Sequence, residues 1–375
     1  MRVLDLSTLL PGPMLAAMLG DLGADVVKVE PPTGDPLRVT GAMRGTRSSI
    51  WSLANRNKRS LVADLDDPDG LALVHRLTEV ADVVVLNQPL HVLERWACSA
   101  EAIAERNPGA VVVLVSGYGA DGPYAERPGT GTVLEAFAGL THMTGEANGP
   151  PILSSVPIGD YLGACFGFQG VLAALYWRDA RGGTGQFVDA SIYEAVLQLL
   201  GPAMATWSPG EPAPGRTGSR IPVATPRNVY RTSDDRWVVI SGPTDSQVAR
   251  LLSVIDANHE STERFATAID RNANADELDA AVAGWVARHE LATVVTALVD
   301  ARVPVTEVQD IAGLYANPQV RARSSITTVH DPESGVLRVP SPAPHLLATP
   351  LRVPSNGPAL GADTDAVIQD WLRGR

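Results

Sequence analysis

The sequence predicts an α/β fold, in which a doubly wound parallel sheet forms a large domain and a smaller α+β domain follows it. Three observations predict this fold. Short apolar segments alternate with helical patterns through the first part of the chain. A stretch rich in Pro, Gly, Thr and Ser then interrupts the pattern between residues 208 and 226. A second, shorter series of strand and helix patterns comes after it.

The first residues have the pattern of a β-α-β unit, with a strand at Val3–Leu6, a helix at Pro13–Leu22 and a strand at Asp25–Glu30. Two strands joined by a helical crossover run parallel. Further strands are predicted at Ser60–Leu65, Asp82–Leu86, Ala110–Ser116 and Gln186–Val188, with a helix at Asp69–Val80. The alternation is typical of a Rossmann-like sheet, in which ligands bind beyond the carboxyl ends of the strands.

An Asp stands directly before a long apolar helical pattern, in the stretch Val-Pro-Ile-Gly-Asp-Tyr at residues 156–161. The helix is predicted over Tyr161–Trp177, and its glycines on neighbouring turns, Gly163, Gly167 and Gly170, indicate close packing. Because the N-terminus of a helix favours negative charge, we expect Asp160 to be ionised at neutral pH. An Asp at this place is also typical of an ordinary N-cap, so both interpretations stay open here.

The predicted domain boundaries follow the composition. The large domain covers residues 1–207, a linker 208–226, the small α+β domain 227–324 and a C-terminal segment 325–375. The small domain has predicted strands at Arg236–Ser241 and Val303–Val308, and helices at Ser246–Ile255, Leu278–His289 and Leu291–Ala301. The C-terminal segment is Pro-rich with short extended pieces from Ile326 onward, and it ends in a predicted helix at Thr364–Leu372.

The composition restricts the class of protein. A net charge of −12 argues against nonspecific nucleic-acid binding. No apolar run approaches the ~20 residues of a membrane span, and the first strand begins without a signal peptide, so no membrane partner is expected. The two cysteines, Cys98 and Cys165, are too few for a disulfide framework. We therefore expect a cytoplasmic protein.

Two patterns concern phosphate groups. Residues 36–63 carry no acidic side chain but several basic ones, which fits either a polyanion site or a solvated surface loop. These basic residues are Arg38, Arg44, Arg47, Arg56, Lys58 and Arg59. The run at residues 117–122 has the spacing of a dinucleotide-binding fingerprint, but Pro123 stands where the helix should begin. We therefore interpret that run as a glycine-rich turn.

Several motifs in order resemble the family III CoA-transferases, the group that contains formyl-CoA transferase, carnitine CoA-transferase and α-methylacyl-CoA racemase. The matching segments are GP at residues 12–13, LGADVVKVE at 22–30, NKRSL at 57–61, ADVVVLN at 81–87, GYGADGP at 117–123, IGD at 158–160, NPQVRAR at 317–323, LG at 360–361 and TD at 364–365. The resemblance covers essentially the whole chain and rests on the order of the motifs.

The resemblance implies the chemistry of a transferase. In this family an Asp attacks the acyl-CoA carbonyl to form a mixed anhydride, and the CoA thiolate then attacks the anhydride to give an enzyme thioester. That Asp falls on Asp160, and Gly159 beside it fits backbone donors that hold the oxyanion. The acyl-CoA and a carboxylic acid would be the substrates, with no permanently bound cofactor and no metal. An interlinked homodimer, with each tail returning to the large domain, is also implied.

The resemblance carries over the CoA site only in part. The candidate CoA-binding residues are Arg38, Asn87, Arg95, Leu9 and Lys58. The guanidinium groups of Arg38 and Arg95 would pair with phosphates.

Two substitutions relative to formyl-CoA transferase bear on the acyl group. Leu10 stands where that enzyme has a Gln that shapes the acyl site, and Gln88 where a Phe usually follows the strand. Formyl and oxalyl groups are therefore not favoured. The apolar residues 9–11 either accept a larger acyl group or pack the edge of the sheet.

Other activities stay open as alternatives. The racemases of this family pair the Asp with a His, but Thr130 occupies that position here, and the nearest histidine is His142. Asp245 lies near the place of the racemase's acid in the second domain, without a clear match. Glu135 either lines the pocket or caps a helix. A non-catalytic acyl-CoA-binding paralogue is the third possibility, against which the retained Asp160 argues.

Overall fold

The structure is a computed structural model that describes residues 1–221, 224–255, 259–331 and 335–373. The chain divides into two compact units. The first contains Met1–Thr141, Leu153–Glu211 and Pro318–Arg375, and the second His142–Ile152 and Pro212–Asn317. Residues 142–152, predicted as part of the large domain, therefore group with the second unit, and the C-terminal segment groups with the first.

The elements are numbered here in chain order across both units. The strands are β1 (Arg2–Asp5), β2 (Asp25–Glu30), β3 (Met43–Arg44), β4 (Arg47–Ser48), β5 (Lys58–Val62), β6 (Val83–Leu86), β7 (Val111–Ser116), β8 (Phe187–Ser191), β9 (Arg227–Arg231), β10 (Trp237–Ser241), β11 (Val305–Glu307), β12 (Ile326–Asp331) and β13 (Gly335–Pro340). The helices are α1 (Pro11–Asp21), α2 (Ser49–Ala54), α3 (Pro68–Thr78), α4 (Leu90–Arg95), α5 (Ala100–Arg106), α6 (Gly131–Phe137), α7 (Leu140–Met143), α8 (Ile158–Arg181), α9 (Ile192–Leu197), α10 (Gly201–Thr206), α11 (Asp245–Val254), α12 (His259–Arg264), α13 (Ala268–Ala273), α14 (Ala275–Val286), α15 (Leu291–Asp300), α16 (Ile311–Ala316), α17 (Pro318–Ala322) and α18 (Thr364–Leu372).

The first unit is built on a parallel sheet of six strands in the order β5-β2-β1-β6-β7-β8. The chain winds from β1 toward β5 and then restarts at β6 on the other side of β1, which creates a topological switch point between β1 and β6. The predicted parallel α/β sheet is thus confirmed. Its strands β6 and β7 are nearly continuous apolar runs because both of their faces are buried.

Helices cover both faces of this sheet. Alternate residues of a strand point to opposite faces, so Val3 lies in one core cluster and Leu4 in the other. The first cluster joins the sheet to α1 and α8, and the second joins it to α3 and α18. The C-terminal helix α18 contributes Val367 and Trp371 to the second cluster. The tail of the chain is therefore part of the core of the first unit.

The glycine face of α8 packs closely on its neighbours. A Cβ added at Gly163 would lie 2.7 Å from Ile192, one at Gly167 2.6 Å from Leu15, and one at Gly170 2.6 Å from Val188.

By length and composition α8 could cross a membrane, which corrects the expectation that no apolar run is long enough. One face of α8 packs against α1, β7 and β8 in the first unit.

The second unit has a three-stranded antiparallel sheet in the order β11-β10-β9. Residues of α11, α14 and α15 pack with this sheet into one core, which includes Val238, Leu251, Val282 and Leu298. The strand β9 was missed in the sequence, because short strands of mixed polarity give only a weak periodic signal. The short extended pieces predicted in the C-terminal segment include β12 and β13, whose pairing as a hairpin was not predicted.

Candidate active site

Asp160 is the third residue of α8, and its backbone is already helical. The residue that precedes the helix is Pro157, and no side chain caps the helix from that position. Asp160 is therefore not the N-cap residue. This outcome decides against the plain-cap interpretation and leaves the carboxylate available for another role.

The Asp160 carboxylate lies against the start of α6. A Cβ added at Gly131 would lie 2.5 Å from Oδ2 of Asp160 and 2.6 Å from its Cγ. The backbone of Gly131 also makes a hydrogen bond that stabilises the charged form of Asp160. Only a residue without a side chain at position 131 lets the carboxylate approach this backbone so closely.

Glu135 lies one turn further along α6 and its side chain is 1% exposed. Its Oε1 accepts a hydrogen bond of 2.9 Å from the backbone N–H of Gly159, in the first turn of α8. Glu135 therefore caps α8 from a neighbouring helix, which settles a question that the sequence left open. Because this N–H of Gly159 points at Glu135, the expected use of it for an oxyanion is not supported by the geometry.

Burial raises the pKa of Asp160, the nearby charge of Glu135 raises it further, and the hydrogen bond from Gly131 partly opposes both, giving a pKa of about 6. At pH 7 about nine-tenths of such a carboxyl is ionised. The expected ionisation at neutral pH therefore holds, but with a more basic carboxylate than the helix dipole alone would produce.

The turn after β1 lies at the switch point of the sheet. Leu9 has a left-handed backbone with φ of 61° and is 46% exposed. Its neighbour Thr8 is held by Asn87, whose Oδ1 accepts the N–H of Thr8 at 2.8 Å and whose Nδ2 donates to its carbonyl at 2.7 Å. Leu10 is buried in the core. Of the two interpretations of the apolar residues 9–11, packing therefore accounts for Leu10, and Leu9 remains free to contact a ligand.

Beneath this turn lies a group of buried charges. Lys58 donates to Asp5 at 2.7 Å, to Asn55 at 2.8 Å and to the carbonyl of Pro13 at 2.8 Å. An ammonium group has three N–H bonds, and these three partners use them all. Lys58 was predicted to bind CoA, but its fully buried ammonium holds the interior of the domain together instead.

Arg38 is also paired within the protein. Its guanidinium donates to both carboxylate oxygens of Glu30 at 2.7 Å and to the carbonyl of Pro358 at 3.1 Å, and it stacks on Trp51. Its predicted role as a phosphate ligand stays a prediction. The structure shows in addition that it neutralises a buried glutamate.

Arg95 differs from Arg38 in that its side chain is 60% exposed and pairs with the exposed Asp66 at 3.1 Å. Such a pair is easily exchanged for a ligand phosphate.

The predicted site residues fall into two places in the described structure. Hydrogen bonds link Leu9, Arg38, Asn87 and Lys58 to the turn after β1 or to the residues that hold it. Asp160 instead lies against α6.

The racemase candidates are divided between the two units. Thr130 is the residue before α6, and its hydroxyl does not cap that helix. His142 groups with the second unit. Asp245 begins α11 and pairs with Arg271 at 2.7 Å.

Sequence reasoning missed Gly131 and the buried partners Asp35 and Glu30. Asp35 pairs with Lys28 at 3.1 Å and accepts the N–H of Leu9 at 3.2 Å. A signal did exist, because Asp5 and Lys28 interrupt otherwise apolar strands. Charges at such positions are rarely buried without a partner. Which partner each one finds depends on the sheet order.

The family model for CoA-transferase family III matches residues 1–364 of the chain. A succinyl-CoA–D-citramalate CoA-transferase of Chloroflexus aurantiacus is 37% identical over 374 residues, which is 99% of this chain and 93% of the relative. An acetyl-CoA:oxalate CoA-transferase of Acetobacter aceti is 34% identical, over 86% of this chain and 84% of the relative.

A crystal structure of a CAIB/BAIF family protein from Brucella suis has the same fold, with a TM-score of 0.84 and 28% identity, and covers 99% of this chain and 98% of that one. The family model and the relatives span nearly the whole chain and agree in the class of enzyme. The chain therefore belongs to the family III CoA-transferases.

Proposed function

We propose that this CoA-transferase works through a covalent intermediate on Asp160. One observation carries the proposal: a carboxylate with a pKa of about 6 lies in the first turn of α8 against the backbone of Gly131. It is ionised at neutral pH yet more basic than an ordinary Asp. A nucleophilic carboxylate needs both properties.

The chemistry follows from the attacking oxygen. An oxygen of Asp160 attacks the thioester carbonyl carbon, the C–S bond breaks, and CoA leaves as a thiolate without needing a proton. The thiolate attacks Cγ of Asp160 in the mixed anhydride, and the donor acid leaves as a carboxylate. The acceptor carboxylate then attacks the enzyme thioester, and the thiolate released attacks the acceptor's acyl carbon, which regenerates Asp160.

Trapping tests this proposal. Wild-type enzyme incubated with acyl-CoA alone should accumulate an adduct, which hydroxylamine converts to a hydroxamate in the peptide that contains residues 158–161. The Asp160→Asn variant keeps the shape of the side chain, so it should still bind acyl-CoA while transfer is abolished. An adduct on Glu135 or Asp189, or transfer at the wild-type rate in Asp160→Asn, would contradict the proposal.

The substrates are proposed by similarity. The relatives from Chloroflexus aurantiacus are named for succinyl-CoA as donor and for D-citramalate or L-malate as acceptor. We propose succinyl-CoA as the donor and a short hydroxy-dicarboxylic acid as the acceptor. A screen of dicarboxylic, branched and aromatic acids with succinyl-CoA and acetyl-CoA as donors tests this, and transfer restricted to monocarboxylic acids would contradict it.

For the CoA moiety we propose the surface around the turn after β1, with Leu9, Asn87 and Arg95. Leu9 is exposed there, and the amide of Asn87 fixes the turn. Arg95 is the exposed guanidinium among the predicted residues, which suits a phosphate ligand.

The racemase alternative is less well supported, because position 130 carries a Thr where a base is required. An assay of α-proton exchange in deuterated water distinguishes the two activities. Washout of the α-proton without acyl transfer would favour the racemase.

We further propose a cytoplasmic homodimer. The outward face of α8 carries large apolar side chains that are exposed in the single chain. They are Phe166, Leu172, Tyr176 and Trp177. Exposed apolar surface of this extent is typical of an interface. A compact monomer in light scattering at micromolar concentration would contradict the homodimer.

A further inference from the structure

Two carboxylates lie together at the start of α8. Glu135 is almost fully buried on α6 and its Oε1 binds the backbone N–H of Gly159, the residue directly before Asp160. After burial, the charge of Glu135 is the main cause that raises the pKa of Asp160. Buried carboxylates are normally paired with a cation. Two neighbouring carboxylates therefore lower the stability of the fold, and a role in the reaction would account for their being retained.

The other elements packed against α8 present apolar atoms to it. Those near its glycine face belong to Leu15 of α1, Val115 of β7, Val188 and Ala190 of β8, and Ile192 of α9. The titratable groups of these elements are engaged elsewhere. Asp21 at the end of α1 pairs with Arg56, Asp189 of β8 accepts the N–H of Ala120, and Glu194 of α9 lies beside Tyr193.

On α8 itself the titratable neighbours of Asp160 are Tyr161 and Cys165. The charge of Arg56 acts on Tyr161, and Arg56 is held by Asp21 at 2.5 Å. Among the described residues of α8 and the elements named above, Glu135 is therefore the group whose charge raises the pKa of the proposed nucleophile.

We infer that Glu135 is a positioning residue for the transfer reaction. It fixes the first turn of α8 through Gly159, and its charge disfavours the free carboxylate of Asp160 relative to the acylated side chain. The inference rests on the proposed nucleophilic role of Asp160. When Asp160 attacks the thioester, its negative charge passes to the departing CoA thiolate and Asp160 becomes a neutral acyl group. The repulsion by Glu135 is relieved in that step, so its charge favours acylation.

The Glu135→Gln variant separates charge from structure. A Gln keeps the length of the side chain and an oxygen that accepts the N–H of Gly159, but it has no charge. We expect kcat to fall roughly threefold to tenfold, with the KM for acyl-CoA changed less than about twofold. The acid limb of the pH profile should move from about pH 6 to a lower pH, because the charge of Glu135 that raises the pKa of Asp160 is gone while its burial remains.

Two further variants keep the test decisive. Glu105→Gln removes an exposed Glu on α5, and it should leave both kcat and the acid limb unchanged. Glu135→Asp retains the charge on a shorter side chain, so kcat should fall while the acid limb stays near pH 6.

An acid limb at the same pH in wild type and Glu135→Gln would overturn the inference and leave Glu135 with a structural role alone. Adduct formation on Asp160 is measured in parallel. If wild type forms no adduct there, the proposed function fails. If wild type and Glu135→Gln form the adduct with the same rate and the same pH dependence, only the role of Glu135 fails.

Discussion

Two buried groups of charges in the first unit differ in how their charges are balanced. Asp5 lies 2.7 Å from Lys58 and 4.0 Å from Lys28, and Lys28 lies 3.1 Å from Asp35. At the start of α8, Asp160 and Glu135 are both carboxylates. The first group has partners for its charges, whereas the second is held by backbone N–H groups.

The pKa values reflect this difference. Burial alone would raise the pKa of Asp5, but Lys28 and Lys58 outweigh it and hold that pKa below its usual value. At Asp160, burial and Glu135 act in the same direction and raise the pKa to about 6. The cations keep Asp5 ionised in the interior, although burial lowers the pKa of Lys58 to about 8. The unbalanced group keeps a carboxylate reactive at a cost in stability.

The largest effect is expected where a balanced charge is removed. Lys58→Met leaves Asp5 without one of its two cations in the interior, and it should lower the free energy of unfolding by about 3–5 kcal/mol. Urea unfolding measures this. Arg95→Met, which removes a cation from an exposed pair, is the control and should cost less than about 1 kcal/mol. Equal losses of unfolding free energy in the two variants would show that the buried cation contributes no more to stability than the exposed one.

The next effect concerns the unbalanced group. Gly131→Ala places a Cβ 2.5 Å from Oδ2 of Asp160, so the carboxylate must move. A displacement of about 1 Å costs roughly 10²-fold in kcat. Gly201→Ala is the matched control, since an added Cβ there meets nothing within 4 Å. A kcat of Gly131→Ala within twofold of wild type would mean that the position of Asp160 is not critical.

A third comparison uses two arginines. Arg95→Ala removes an exposed phosphate ligand, so the KM for acyl-CoA should rise by the equivalent of about 1.5–3 kcal/mol with little change in kcat. Arg38→Ala should instead lower stability, because it leaves Glu30 buried without its cation. Steady-state kinetics and thermal unfolding of both variants check this. A pure KM effect in Arg38→Ala would restore it as a direct CoA ligand.

The smallest effect is the pH dependence. The carboxylate form of Asp160 should fall about tenfold in population between pH 7 and pH 5, and kcat with it. The free energy of unfolding also depends on pH in opposite directions for the two groups. The raised pKa of Asp160 makes stability fall as pH rises from 4 to 6, whereas the lowered pKa of Asp5 makes stability fall as pH drops toward its folded-state value.

Unfolding of Asp160→Asn at pH 4.5 and pH 7 isolates the first of these contributions. The variant should be stabilised relative to wild type more at pH 7 than at pH 4.5, by about 1–2 kcal/mol. The opposite order would mean that the Asp160 carboxylate is paired with a cation in the folded enzyme.

The sequence alone indicated the parallel α/β class of the first unit, because short apolar strand patterns such as β6 and β7 alternate with helical patterns. Asp25–Glu30 and Thr364–Leu372 have in the structure the bounds that their periodicity predicts. Asp160 could be named as the candidate nucleophile because the order of the motifs resembles that of the family III CoA-transferases, whose nucleophilic Asp falls on this position.

Only the tertiary structure decided which charges meet. Asp5, Lys28 and Lys58 come from three different strands, and their contact depends on the order β5-β2-β1. The position of Gly131 against Asp160 likewise depends on the packing of α6 on α8. Periodicity reports which face of an element is buried, but burial and pairing of a charge are set by neighbours that are distant in sequence. For that physical reason Lys58 was assigned to a ligand, and the role of Glu135 stayed open between lining the pocket and capping a helix, until the fold placed each beside its partner.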